Sequence, residues 1–237
     1  MNRLPRAALG LAALSIAVAA GPAIARPDPS IPVTQRTEKI GLKGRKGESL
    51  LRPGFAVGEY VGGARSVATA VRVPGFHSKD KAKVTFTVDA PSLGGVVTGS
   101  CAGGESRTGL GWITFKEDKL RYACSYEGAG VAPGSGFTLA LSEGSFLKRL
   151  QQPQRAGELH WGKSVIRAET KRVGGLPWGG GRVMGYVFSK DGVEIGALDI
   201  AMAPTFYLPP KGDPDRDAVA VLGLSLFLFQ DPANSNN

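Results

Sequence analysis

Beyond about position 55 the chain alternates apolar and polar residues with a period of two. Within Lys83–Ala90, Val84, Phe86 and Val88 fall on one side, and Lys83, Thr85, Thr87 and Asp89 fall on the other. Leu120, Tyr122, Cys124 and Tyr126 share a face, as do Phe137, Leu139 and Leu141. Such alternation marks strands with one face buried and one wet, the habit of antiparallel sheets. Turn signals at Gly62-Gly63, Gly94-Gly95, Gly103-Gly104, Glu117-Asp118 and Asp191-Gly192 cut the pattern into pieces, the last of them a type I′ hairpin signal. Strands are expected near 55–61, 66–73, 83–90, 95–102, 109–116, 119–127, 135–142, 157–161, 163–172, 182–190, 193–201 and 204–208. A short helix fits 142–152, around Phe146, Leu147 and Leu150. No segment repeats another at a fixed period, which disfavours propellers and solenoids.

The end of the chain changes period. Asp213-Pro214-Asp215-Arg216-Asp217 reads as a helix start, with Asp213 as N-cap and Pro214 in the first position. Ala218 to Phe229 is then apolar on every side except at Ser225, and Gln230-Asp231-Pro232 stops it. Twelve such residues span about 18 Å as a helix, short of a bilayer core of roughly 30 Å. A helix apolar all round needs cover on all sides, and one open sheet covers a single side. The expectation is therefore a mainly β protein: an antiparallel closed barrel of about 12 strands around a buried C-terminal helix at 213–230, with Val221, Leu222, Leu224, Leu226, Phe227 and Phe229 in the core. The alternative is a β-sandwich with a packed C-terminal helix.

This order of elements resembles the tubby C-terminal-like barrel, shared by tubby proteins, plant LURP-one-related proteins and phospholipid scramblases. The segments that carry the resemblance are the hairpin Gly185–Asp199, the edge strand Thr205–Pro210 and the helix from Asp213 to Phe229. The resemblance implies that the terminal helix threads the barrel. It supplies no phosphoinositide-binding cluster that can be placed on residues of this chain.

Composition narrows the class. At 42% hydrophobic and 21% charged residues, the 237-residue chain is neither disordered nor a membrane bundle. It carries 34 Gly, about twice the usual share of roughly 7%, with no collagen period. Two Cys and two His leave little to build a metal cluster from, and no metal or cofactor is expected.

Residues 1–25 read as a secretory signal peptide. Arg3 and Arg6 precede an apolar run over 7–20, and Ala23-Ile24-Ala25 supplies the small-x-small cleavage pattern. Cleavage after Ala25 takes two Arg from a net charge of +9, leaving 212 residues at +7 in the periplasm or outside the cell, with no transmembrane anchor. Export makes a Cys101–Cys124 disulfide the expected use of the two cysteines. Residues 26–53 read as an extended basic arm or linker in front of a single domain at 54–230, with a tail at 231–237. Arg36, Lys39, Lys43, Arg45 and Lys46 in that arm are candidate contacts for an anionic lipid or envelope polymer, a plain solvated segment being the alternative.

Gly157-Glu-Leu-His-Trp-Gly-Lys-Ser164 matches the letters of the phosphate-cradling loop. Its context argues against that chemistry, because Pro153 breaks what precedes it. The residues that follow alternate as a strand instead of opening a helix. Trp178 in Gly174–Gly181 is a candidate ligand contact on a long loop, with a packing tryptophan as the alternative. No catalytic residue is assigned. The positive charge is spread along the strands without an aromatic-and-basic ladder, so no nucleic acid is expected as partner. Three functions remain: a noncatalytic exported binding or envelope-associated factor, an anionic-lipid-binding or lipid-handling protein, and a hydrolase built on His160, Glu158 or Asp199.

Overall fold

The computed structural model describes residues 28, 30–44, 54–69, 81–104, 121–141, 155–173 and 184–229. The expected signal peptide, the strand at 109–116, the helix at 142–152, Leu120, Arg45, Lys46, Trp178 and the tail lie outside the described residues.

Among the described residues, thirteen antiparallel strands form one sheet. They are β1 (Glu38–Gly41), β2 (Lys43–Gly44), β3 (Phe55–Val57), β4 (Tyr60–Thr69) and β5 (Lys81–Asp89). Next come β6 (Val97–Gly104), β7 (Arg121–Glu127), β8 (Gly136–Leu141) and β9 (Arg155–Trp161). The last four are β10 (Ser164–Thr170), β11 (Gly185–Lys190), β12 (Val193–Asp199) and β13 (Thr205–Leu208). From β3 to β13 each strand pairs with its neighbour in sequence, an up-and-down meander. β1 pairs with β13 and β2 pairs with β3, and a single residue, Leu42, stands between β1 and β2. One segment thus joins both edges of the sheet, and the result is a nearly closed barrel.

That segment, Glu38–Gly44, was expected in the arm. Ile40 and Leu42 pack on the core while Lys39 and Lys43 stay exposed, so it obeys the same alternation as the other strands. Just before it, one helical turn (Val33–Arg36) lies on the outer wall, where Val33 packs with Val173, Val187, Ala197 and Tyr207.

The helix Arg216–Leu228 fills the interior. Ala218 to Leu222, Leu224 and Ser225 are each 0% exposed, as the all-round apolar pattern requires. Helix and wall approach closely on one side, where Cβ atoms on Gly196 and Gly223 would come within 2.6 Å of Val219 and 2.8 Å of Phe206. Tyr122, Tyr126 and Phe137 fill the far side with larger side chains. The helix begins at Arg216, later than the Asp213 expected as its cap. Asp213 Oδ1 accepts the Asp215 N–H at 2.8 Å and its carbonyl accepts the Arg216 N–H at 3.1 Å, which closes a separate turn before the helix.

Two of the glycine pairs expected as turns lie inside strands. The first hairpin turns at Gly58-Glu59, and Gly62-Gly63 sits within β4. Gly62 is there because the Phe55 ring and the Thr87 carbonyl leave no room for a Cβ. Gly103-Gly104 likewise lies in β6. The Asp191-Gly192 hairpin is as expected, with φ of 50° and 79°.

Candidate functional site

The polar chemistry of the described residues gathers at the rim where the helix enters, alongside the turns Gly58-Glu59, Gly162-Lys163 and Asp191-Gly192. Three consecutive helix-head residues reach three sectors of that rim. Both oxygens of Asp215 lie 2.8 Å from Lys190 Nζ, and Ser164 Oγ donates to Asp215 Oδ1 at 2.8 Å. Lys190 Nζ also donates to Ser164 Oγ at 3.0 Å.

Arg216, 4% exposed, donates to Glu59 through Nε at 2.7 Å and Nη2 at 3.1 Å. Its Nη1 lies 2.8 Å from Glu38 Oε2 and also donates to the Pro209 carbonyl. Asp217 Oδ1 accepts hydroxyls from Tyr60 and Ser92, each at 2.6 Å.

These contacts set the local electrostatics. The Arg216 hydrogen bonds hold the Glu59 carboxyl below its ordinary range, against the opposing effect of burial. For Arg216 burial works against the charge, but the Glu59 hydrogen bonds and the Glu59 and Glu38 charges outweigh it and raise the guanidinium further. Burial, and then the hydrogen bond to Asp217, pushes the Tyr60 hydroxyl well above the ordinary tyrosine value.

Ser164 and Lys190 have the composition of a nucleophile and its base. However, the three protons of the Lys190 ammonium face two Asp215 oxygens and the Ser164 hydroxyl, and the Ser164 proton goes to Asp215. The circuit is complete without a substrate, and its geometry is that of an anchor for the helix head. Sequence reasoning missed this cluster, although a signal existed. Lys190 falls on the inward phase of β11 with Tyr186 and Phe188, and Ser164 on the inward phase of β10 with Ile166 and Ala168.

The phosphate-loop letters form a β-hairpin: Gly157–Trp161 lies in β9, Gly162-Lys163 make the turn, and Ser164 opens β10. Backbone groups that a phosphate would need are committed to the β9–β10 ladder. His160 Nε2 meets Glu158 Oε1 at 2.8 Å, with side chains 50% and 41% exposed on the outer wall. Asp199 sits at the opposite end of the barrel, so the three proposed hydrolase residues do not converge.

Of the basic candidates, the structure places Lys39 and Lys43 on the outer wall along the closing segment. Arg36 is half-buried, its Nε donating to the Ile31 carbonyl at 2.8 Å. Cys101 and Cys124 face each other across β6 and β7 and are bonded, both buried in the core.

Among the described residues, no group of three or more His, Cys, Asp or Glu is placed to hold a metal ion, and no helix is long and apolar enough to cross a membrane. No protein-family model, curated protein or solved structure matches the chain.

Proposed function

We propose that the protein is an exported, noncatalytic binding factor that works from the outer wall of its barrel. The observation that carries this reading is the occupied interior. Residues of the chain's own helix, 0% exposed, take the interior space in which other β-barrels enclose a ligand cavity or channel. What is left for a partner is the outside, and Lys39 and Lys43 stand exposed along the segment that closes the barrel. Those two cations favour an anionic partner, either an acidic lipid surface or an acidic envelope polymer. Kinship with the tubby-like barrels belongs to the same proposal, supported by the threaded helix.

The test is cosedimentation of the mature chain with phosphatidylglycerol vesicles and, separately, with an acidic wall polymer, at low and high salt. Binding to one of them that fades with salt, and fades further in a Lys39→Glu/Lys43→Glu variant, is the expected result. Absence of binding to both at low salt overturns the anionic-partner reading. N-terminal sequencing of the exported chain tests cleavage after Ala25.

A further inference from the structure

At the end of the barrel away from the helix head, a hollow of about 210 Å³ opens beside the ends of β10–β13. Arg172 and Asp199 both line it, together with Val173, Met184 and Met202. The two opposite charges do not bridge: Arg172 has no ion pair or hydrogen bond among the described residues. Asp199 spends Oδ1 on the Ala201 N–H at 2.9 Å, which leaves Oδ2 for another donor. The same hollow is lined by a valine and two thioethers, whose flexible side chains adapt to varied hydrocarbon shapes.

We infer that this hollow binds a small zwitterion bearing an apolar group, in the size class of a free amino acid. A guanidinium presents a fork that matches a carboxylate, and a carboxylate oxygen matches an ammonium. The volume falls below the roughly 300 Å³ at which drug-sized sites begin, so a single amino acid suits it better than a peptide or a lipid. This site is independent of the outer-wall cations Lys39 and Lys43 and of the partner proposed for them.

Isothermal titration of the mature protein with L-leucine, N-acetyl-L-leucine and L-leucinamide tests the assignment. Saturable binding of leucine is expected, weakened roughly tenfold or more when either charge of the ligand is removed. Arg172→Gln should weaken leucine by a similar factor and leave leucinamide unchanged, since that ligand has no carboxylate to lose. Asp199→Asn keeps an acceptor for the Ala201 N–H; it should weaken leucine and leave N-acetyl-leucine unchanged. Absence of saturable leucine binding overturns the inference, and so does a leucine affinity that neither variant alters.

Discussion

Gly99 and Phe86 face each other across the β5–β6 ladder, and the Phe86 ring lies 2.3 Å from where a Gly99 Cβ would stand. The same relation recurs around the wall. Phe55 lies over its partner Gly62, and Phe188 lies against its partner Gly196. In each pair a ring lies against the glycine opposite it on the next strand, where a side chain would add bulk to the wall around the helix.

A Gly99→Ala variant forces the Phe86 ring out of place, and overpacking of this kind costs about 1–3 kcal/mol. Gly63→Ala, where a Cβ meets nothing within 4 Å, is the matched control and should leave stability unchanged. Urea midpoints of the two variants decide the matter. Equal midpoints would mean that the ring relaxes freely and that the pairing carries no energy.

Arg216 joins the closing strand, through Glu38, to the β3–β4 turn, through Glu59. Arg216→Met leaves both carboxylates without their cation. Breaking a buried pair costs about 3–5 kcal/mol, and the cost here should be nearer 2–3 kcal/mol because Glu38, 44% exposed, keeps access to water. The acid dependence follows from Glu59. Its folded value lies below the ordinary 4.5, so its stabilisation is present above pH 4.5 and is lost as pH falls through the depressed folded value. Thermal melts across pH 3 to 6 should show that loss in the parent and a flatter profile in Arg216→Met.

The barrel and its plug were legible in the sequence because each rests on local periodicity. Val84, Phe86 and Val88 face inward, and so do Tyr122, Cys124 and Tyr126, as two-residue alternation demands. Ala218 to Leu222 are buried because no polar face exists to turn outward. A closed barrel was expected from the helix that needs cover on all sides, but the segment that closes it was not legible. Glu38–Gly44 contains two lysines, a glutamate and two glycines, and Ile40 and Leu42 alone carry an inward signal. The partners of β1 lie in Thr205–Leu208, far along the chain, and no local pattern announces a pairing at that range. The rim cluster was hidden for the same reason, since Asp215 meets Ser164 and Lys190 only once the barrel has formed.

Burial pushes the hydroxyls of Tyr122 and Tyr126 well above the ordinary value of 10.0, and Tyr60 joins them through burial and its bond to Asp217. A folded value raised above the unfolded one means stability that is fully present below pH 10 and is lost as pH climbs beyond it. Tyrosinate absorbance should therefore rise in step with the loss of far-ultraviolet circular dichroism. Ionisation of all the tyrosines near pH 10 with the fold intact would show that these hydroxyls are not sequestered.

The last prediction concerns Ser225, the single polar residue in the apolar stretch of the helix. Its Oγ donates to the Val221 carbonyl at 2.8 Å and shares a 2.8 Å hydrogen bond with the Tyr126 hydroxyl, while Tyr122 donates to the Ser225 carbonyl at 3.0 Å. Ser225→Ala removes the partner of a buried hydroxyl, and leaving that group unsatisfied costs about 1–3 kcal/mol. Tyr126→Phe removes the other side of the same bond, and Ser225 keeps its bond to Val221. If the bond fixes the rotation and depth of the helix, the double variant should be less destabilised than the sum of the two single variants, because no orphaned hydroxyl remains. Chemical denaturation of all four proteins yields the coupling directly. Strict additivity would mean that Tyr126 and Ser225 act independently, and that shape alone, through Gly223 of the helix and Gly196 of the opposite wall, sets the position of the helix.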